Sequence, residues 1–163
     1  MSELTAAIGA KIYIGPKTAT AATLAAWDAL TDWEEIGLAE SIPEFGTRWE
    51  TGNFTPVGDG LRRKYKTTLD NGSLSITCAR DGSDDGQIAA QLAAADKQGD
   101  YPIKVVLGDD TGNTGSKPTR AFFRALVTSA TIAPGGSADT VKTTIGLEIN
   151  SEVFVGEAVA GTP

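Results

Sequence analysis

The sequence contains no histidine and a single cysteine among its 163 residues. Histidine is the commonest general base and a common metal ligand, so its absence excludes histidine-activated nucleophiles and zinc sites built from the usual residues. The lone thiol, Cys78, has no internal disulfide partner, and we expect it to be a small buried side chain. We therefore predict no catalytic residue, no cofactor-binding site, no metal site and no enzymatic activity.

Long hydrophobic runs are also missing. No stretch approaches the roughly 18 consecutive apolar residues that a membrane-spanning helix needs. The amino-terminal segment has an acid, Glu3, and no basic region before an apolar run, so we expect no signal peptide. The chain length predicts one domain over residues 1–163, large enough to fold without a disulfide or a metal ion.

Charge is distributed unevenly along the chain, whose formal net charge is −7. Residues 1–60 contain nine acids and three bases, and residues 81–163 contain eleven acids and six bases. Residues 61–80 reverse the sign, with five bases and one acid. The acidic flanks argue against tight nucleic-acid binding, which needs Lys and Arg to release phosphate counterions. The basic block suits a contact with an acidic protein surface better than a DNA groove.

Apolar and polar residues alternate with a period of two over much of the chain. This pattern is typical of antiparallel sheets with one buried face, so the fold class is predicted to be mainly β. The final pair of alternating segments flanks a Pro-Gly-Gly turn, which predicts a long hairpin over about 119–150. The other predicted strands cover 61–69, 73–80 and 103–107.

A second hairpin turn is predicted at Asp70-Asn71-Gly72, because Asn-Gly tolerates the positive φ angles of a two-residue type I′ turn. It would join strand 61–69 to the strand that follows. Within strand 61–69, one face carries Leu61, Tyr65 and Leu69, and the opposite face carries Arg62, Lys64 and Lys66. The pattern predicts that this apolar face is buried.

Helical spacing appears in residues 84–97, where Ile88, Leu92 and Ala95 recur at intervals of four and three. We predict one flanking helix there, with these three side chains on its buried face. A second, shorter helix is predicted over 23–30. The candidates for the N-cap of the longer helix are Ser83 and Asp84.

Residues 51–60 break the strand pattern. The segment contains three glycines and a proline in the order TGNFTPVGDG. Gly and Pro in this density favour turns and irregular structure. We therefore predict a mobile loop over about 51–60.

Polar motifs elsewhere fail the tests for metal, phosphate and sugar chemistry. Residues 81–86 begin like a calcium loop, but Leu92 occupies the position of the bidentate glutamate. Residues 108–117 lack the G-x-x-x-x-G-K spacing of a phosphate loop. The adjacent acids Glu34 and Glu35 would point to opposite faces of a strand and cannot act on one substrate.

Several short motifs, taken in order, resemble the tail tube proteins (major tail proteins) of phages with long non-contractile tails and of related gene transfer agents. Each motif alone is weak, whereas their order and spacing extend over nearly the whole chain. The motifs are Trp27-Asp28-Ala29-Leu30, Trp33-Glu34-Glu35-Ile36-Gly37, Ser41-Ile42-Pro43-Glu44-Phe45-Gly46, Lys64-Tyr65-Lys66-Thr67, Asp70-Asn71-Gly72, Arg80-Asp81 and Asp84-Asp85-Gly86-Gln87.

The resemblance implies an antiparallel β-sandwich or barrel with a flanking helix, assembled into stacked homohexameric rings. Such rings share an inner β-barrel and form the conduit through which DNA passes into the host without specific binding. The implied partners are further copies of the chain, the tape-measure protein, and the tail tip and tail terminator proteins, with no membrane contact. The implied location is the virion tail, after synthesis in the bacterial host cytoplasm.

The wall of the implied barrel would be built from residues 119–150, 33–51 and 61–80. We expect its lumen to be acidic, because like charge would keep passing DNA from sticking. The loop and the basic block after it would dock on an acidic surface of a neighbouring subunit or ring. The self-assembly candidates are Gly52, Asn53, Phe54, Arg62, Arg63 and Lys64.

Three alternatives remain open, and the last of them, an enzyme, is disfavoured by the absence of histidine. The tube component of a type VI secretion system shares this implied architecture but carries effectors instead of DNA. A monomeric β-sandwich binding module would show no self-association at any concentration.

Overall fold

Alternating strands fold into one large antiparallel sheet and one small sheet. The structure is a computed structural model and describes residues 4–163, so Glu3, on which the signal-peptide expectation depends, lies outside the described residues. The helices are α1 (Leu24–Asp28) and α2 (Asp85–Ala95). The strands are β1 (Lys11–Ile14), β2 (Glu34–Glu35), β3 (Ala39–Ser41), β4 (Trp49–Phe54), β5 (Arg63–Leu69), β6 (Ser73–Ala79), β7 (Tyr101–Val106), β8 (Arg120–Ala133), β9 (Lys142–Ile149) and β10 (Phe154–Gly156).

The large sheet has the order β2-β1-β7-β8-β9-β6-β3, with β10 added beside the first part of β8. All its pairs are antiparallel, and the sheet curls into a half-barrel. Together with β4 and β5, which form a separate two-stranded sheet, this confirms the prediction of a mainly β antiparallel fold. None of the helices in residues 4–163 has the length and apolar character needed to span a membrane.

The long hairpin predicted over 119–150 is confirmed as β8 and β9. Their register runs from Ala125 opposite Ile149 to Ala133 opposite Lys142, with a bulge between Val127 and Ser129. The alternation of apolar and polar residues therefore predicted the buried face of β9 correctly, since Ile145 and Leu147 are buried.

The core lies between the large sheet and α2, whose Ala90 and Ala93 belong to it. It contains Phe123 from β8, Ile103 from β7 and Ile12 from β1, all fully buried. Cys78 is also fully buried, as expected for a lone structural cysteine. The opposite face of β8 supports a second, aromatic cluster. That cluster consists of Trp27, Trp33, Phe122 and Phe154, with ring centroids 5.6–6.4 Å apart.

Both predicted helices are present, but the buried face of α2 was predicted wrongly. The buried residues are Gly86, Gln87, Ala90 and Ala93, whereas Ile88 and Leu92 point outward. The sheet approaches α2 so closely that a Cβ at Gly86 would lie 2.0 Å from the carbonyl oxygen of Glu35. Only small side chains fit this contact, and the larger apolar residues are therefore on the outer face.

The N-terminus of α2 is capped by Asp84. Its carboxylate accepts from the Gln87 backbone N–H at 2.8 Å and from the Gly37 N–H at 3.1 Å. Ser83, the other candidate, does not cap the helix because its N–H and hydroxyl both bind the Asp81 carboxylate. The helix ends two residues before position 97, because Asp96 adopts an extended conformation.

The predicted mobile loop at 51–60 is wrong for its first part. Residues Trp49–Phe54 form β4, which pairs with β5, and only residues 55–62 form the connection. A strand of this composition is stable only when it pairs with a partner strand, and sequence periodicity does not identify that partner. The Gly and Pro residues alone therefore predicted a loop.

The hairpin predicted at Asp70-Asn71-Gly72 is also wrong. β5 pairs with β4, whereas β6 pairs with β9 and β3. Gly72 adopts a positive φ of 76°, and this corner sends β5 away from the large sheet. The predicted barrel-wall segments 33–51 and 61–80 are consequently divided between the large sheet and the small one.

Candidate self-assembly surfaces

The small sheet forms an extended hairpin, which we name the arm (residues 49–69). Its register places Gly52 opposite Tyr65, Asn53 opposite Lys64 and Phe54 opposite Arg63. The structure thus brings the six self-assembly candidates together on one element, although they are separated by a proline-containing turn. Arg62 is the last residue of that turn.

One face of the arm is organised by Tyr65. Its ring lies directly over Gly52, where an added Cβ would be 2.6 Å from the ring carbon that bears the hydroxyl. A ring placed over a strand glycine covers backbone that would otherwise be open to water. Tyr65 is nevertheless 55% exposed, and Phe54 on the same face is 62% exposed. The prediction that this face is buried is therefore wrong, because no other layer of residues 4–163 covers it.

The other face of the arm is basic. Lys64 and Lys66 alternate on this face with no carboxylate within 4 Å in the described part of the chain. The Lys66 ammonium lies 5.5 Å from the centroid of the Trp49 ring, which is a cation–π distance. The arm carries four bases and two acids, so its net charge is positive, whereas the net charge of the rest of the chain is negative.

The tip of the arm is a closed turn. The Gly60 N–H donates to the Pro56 carbonyl at 3.0 Å, and the Asp59 carboxylate accepts from the Leu61 N–H at 3.1 Å and from the Arg63 guanidinium at 2.8 Å. Arg63 is therefore occupied within the arm. Val57 at the tip is completely exposed.

The base of the arm is fixed to the large sheet by Asn71. Its side-chain oxygen accepts from the Arg48 N–H at 3.3 Å, and its amide nitrogen donates to the Ser151 carbonyl at 2.7 Å. The Asp70 N–H also donates to the Arg48 carbonyl at 2.9 Å. These bonds connect both strands of the arm to the segment after β9, so the arm projects from a defined point.

A second exposed surface lies along α2. An open groove of about 600 Å³ runs between this helix, the end of β1 and the residues before β2. Its apolar wall includes Ala89, Leu92 and Tyr101, and its rim includes the exposed acids Asp32 and Glu34. Leu92 is 69% exposed, more than Ile88, the other large apolar side chain on this helix.

The buried ionic contacts of the molecule hold elements together. Arg120 donates to both carboxylate oxygens of Asp28, at 2.5 and 2.6 Å, and Lys117 adds a third contact at 3.3 Å. The hydrogen bond from Arg120 lowers the pKa of Asp28 below its ordinary value. This pair ties α1 to β8, a structural role that the 92-residue separation concealed from sequence reasoning.

Two further charged groups fix the segment after β1. Arg124 donates to the Asp100 carboxylate at 2.8 Å and to the Lys17 carbonyl at 3.0 Å. Lys17 in turn donates to Asp96 at 2.6 Å, and the Tyr101 hydroxyl donates to the same carboxylate at 3.0 Å. The Lys17 hydrogen bond is the main cause that lowers the pKa of Asp96 to about 2. Within residues 4–163, no cluster of acidic or thiol side chains is arranged to hold a metal ion.

No protein-family model and no curated protein sequence matches the chain. Solved structures do match. A chain of the anti-feeding prophage baseplate is 12% identical with a TM-score of 0.69, over 96% of this chain and 98% of that one. A chain of the PVC sheath/tube terminator, from an extracellular contractile injection system, is 13% identical with a TM-score of 0.68, over 95% and 98%.

The SPP1 tail tube is a third match. It is 16% identical with a TM-score of 0.59, over 91% of this chain and 76% of the tube protein. The chain has the tail tube fold. The resemblance suggested by the sequence motifs is thus confirmed at the level of fold, and these tail tube neighbours are structural components of tubes and tails.

Sequence reasoning located the arm residues through charge segregation but missed two surfaces. It missed Tyr65 as an exposed aromatic, because its strand alternation resembles that of a buried face, and it did not single out Trp49. It also missed the groove beside α2, because Leu92 was assigned to the core. For α2, the signal that could have identified the outer face is its Gly and Ala residues, which supply the small contacts of the buried face.

Proposed function

We propose that the protein is a structural subunit of a phage-type tail tube. Copies assemble into hexameric rings, the rings stack, and the lumen conducts DNA toward the host. The observation that carries this proposal is the match of more than nine-tenths of the chain to the SPP1 tail tube and to injection-system chains. The location that follows is the virion tail.

The edges of the large sheet support assembly. An open sheet presents unpaired backbone groups at its first and last strands, and closure across subunits removes such edges. The edge strands β2 and β3 have only two and three residues, and β3 pairs only with Thr77 and Cys78, so within residues 4–163 the first half of β6 has no partner strand on that side. Ile132 and Val141, at the far end of the β8–β9 hairpin, are also 50% and 38% exposed.

The arm supports contacts between subunits. A two-stranded ribbon does not bury its apolar side chains by itself. Five of the fifteen large exposed apolar residues of the described chain lie in the arm, which indicates a surface for association. The exposed bases Arg62 and Lys64 suit an acidic surface on another copy of this acidic chain. These five apolar residues are Trp49, Phe54, Val57, Leu61 and Tyr65.

The net charge of −7 suits a DNA conduit that does not bind its cargo. An acidic wall repels phosphate and offers no fixed cations that would bind it and release its counterions. The remaining partners of the proposal are the tape-measure protein inside the tube and the tip and terminator proteins at its ends. A basic inner wall in a reconstruction of the tube would contradict this part of the proposal.

The test is negative-stain electron microscopy of concentrated protein, with light scattering on the same sample. Rings or hollow tubes with six-fold views are the expected result. Changing Arg62, Arg63 and Lys64 together to Glu should abolish these assemblies while leaving the thermal unfolding temperature near that of the wild type. A strict monomer at every concentration, including with a tail-tip fraction present, would favour a monomeric binding module instead.

A contractile injection system is a second candidate setting for the tube. The observation that favours it is the pair of TM-scores of 0.69 and 0.68 with injection-system chains, against 0.59 with the SPP1 tail tube. Electron microscopy of native particles distinguishes the two settings. A contractile sheath around the tube would select the injection system, and a bare flexible tail would select the non-contractile phage.

A further inference from the structure

The outer face of α2 presents apolar surface that the fold of the single chain does not use. Leu92 is 69% and Ile88 39% exposed, although both lie on a helix whose inner face is filled by Ala and Gly. Leu92 forms the wall of the 600 Å³ groove together with Ala89 and Tyr101. A groove with an exposed leucine at its wall and acids at its rim suits an apolar ligand flanked by positive charge.

We propose that this groove receives the arm of a second copy of the chain. The apolar tip of the arm, Val57 and Leu61, would lie against Leu92. Arg62 and Lys64 would lie beside the rim acids of the groove. The inference rests on the proposed function, because it names the surface on the neighbouring subunit to which the arm binds.

Charge complementarity is the first argument for this occupant. Within residues 4–163, the rim acids Asp32 and Glu34 have no Lys or Arg partner within 4 Å, whereas the adjacent Glu35 is paired with Lys11. On the arm, Arg63 is paired with Asp59, which leaves Arg62 and the lysines of β5 free. Two unpaired acids on one surface and unpaired bases on the other would neutralise one another on contact.

Reach is the second argument. β5 has seven residues, and at about 3.3 Å per residue the arm projects roughly 20 Å. That length carries the tip away from the base of the arm and makes it available for contact with a second copy. The tip turn is closed by its own hydrogen bonds, so little conformational entropy is lost when it binds.

Cysteine cross-linking tests the contact directly. The variant with Val57→Cys and Leu92→Cys, oxidised mildly after assembly, should give a ladder of covalent multimers on a denaturing gel. The matched control combines Val57→Cys with Val155→Cys, whose parent side chain is 52% exposed on β10, and should give no ladder. Native Cys78 does not interfere because it is fully buried. A ladder from the control pair and none from the test pair would overturn the inference.

Exchanging the charges of the two surfaces tests the pairing between the rim acids of the groove and the bases of the arm. Asp32→Lys with Glu34→Lys should raise the concentration needed for assembly by about tenfold or more, since like charges placed together oppose association. Adding Arg62→Glu and Lys64→Glu to the same chain should restore assembly. Failure of this rescue, with all variants folded by circular dichroism, would contradict the proposed pairing.

The substitution Leu92→Glu separates this inference from the proposed function. It changes an exposed side chain, so the unfolding temperature should stay near that of the wild type while assembly is lost. Tubes that form normally from this variant would show that the groove belongs to another partner, and the inference would fail while the tube function stands. Absence of any tubes from the wild type, even with a tail-tip fraction, would refute both.

Discussion

The large sheet with its helices and the arm use the same kinds of residues for opposite purposes. In the large sheet, Phe123 is fully buried and Arg120 holds Asp28 with two hydrogen bonds. In the arm, Phe54 is 62% exposed, and the Arg63–Asp59 pair is open to water on both sides. The comparison shows that aromatic content and ion pairs indicate stability only where burial accompanies them.

The arm contributes little to the stability of the single chain and is available for contacts between chains. Its strands pair with each other, and its base is fixed by Asn71, so its position is defined without a layer covering it. Apolar side chains kept in water on a well-ordered ribbon are favourable only if another surface buries them. The division of roles between the two regions can be tested by matched substitutions in each.

The largest expected effect comes from replacing one phenylalanine in each region with alanine. Phe123→Ala should lower the free energy of unfolding by about 3–5 kcal/mol, because it removes a buried ring and leaves a cavity. Phe54→Ala should change it by no more than about 0.5 kcal/mol, because that ring already lies in water. Urea unfolding followed by circular dichroism measures both. Similar losses in the two variants would break the distinction between the regions.

Ion pairs give the next contrast. Asp28→Ala should cost about 3 kcal/mol, because it leaves the largely buried Arg120 guanidinium without its carboxylate. Asp59→Ala should cost about 0–1 kcal/mol, because the Arg63 it releases is well hydrated. The same urea experiment compares them, and an Asp59 variant as unstable as the Asp28 variant would assign the arm a role in folding.

Acid sensitivity should come from the large sheet and its connections. The pKa of Asp28 is lowered by Arg120, and that of Asp96 is lowered to about 2, chiefly by Lys17. A carboxylate with a depressed folded pKa stabilises the protein above its unfolded pKa of about 3.9, and that contribution is lost as the pH falls toward 2. Thermal unfolding should therefore shift downward between about pH 4 and pH 2. Asp96→Asn should flatten this part of the profile, and an unchanged slope would refute the assignment.

The smallest expected effect concerns the thiol. Burial raises the pKa of Cys78 to about 11, so the folded protein should not react with a thiol reagent at pH 8. One equivalent should react after unfolding in urea. Rapid labelling of the native protein would show that β6 opens readily, although it is paired with β9 along its whole length and with β3 on the other side.

The strands of the large sheet could be predicted because their alternation reports a single buried face. The β8–β9 hairpin followed from this alternation, and Asp84 was one of two N-cap candidates because of its residue type before the helical spacing. The Asp28–Arg120 pair could not be predicted, because the two residues are 92 positions apart and either could have been a surface charge. Local sequence carries no information about such a distant partner.

The errors in the arm and in α2 have related causes. In the arm, the alternation in strand 61–69 predicts a buried face, but alternation shows only that two faces differ and does not supply a covering layer. In α2, the largest apolar residues were assigned to the interior. The tight approach of Gly86 to the Glu35 carbonyl requires small residues there, and it places Leu92 outside.

The most direct test of the division between the two regions is removal of the arm. The variant would replace residues 51–66 with Asn-Gly, which keeps the Trp49–Leu69 pair at the base, and would be compared with the wild type by sedimentation velocity and thermal unfolding. The account predicts a folded monomer with nearly unchanged unfolding temperature that forms no rings or tubes, beside a wild type that assembles. An unfolded variant, or one that assembles as the wild type does, would contradict it.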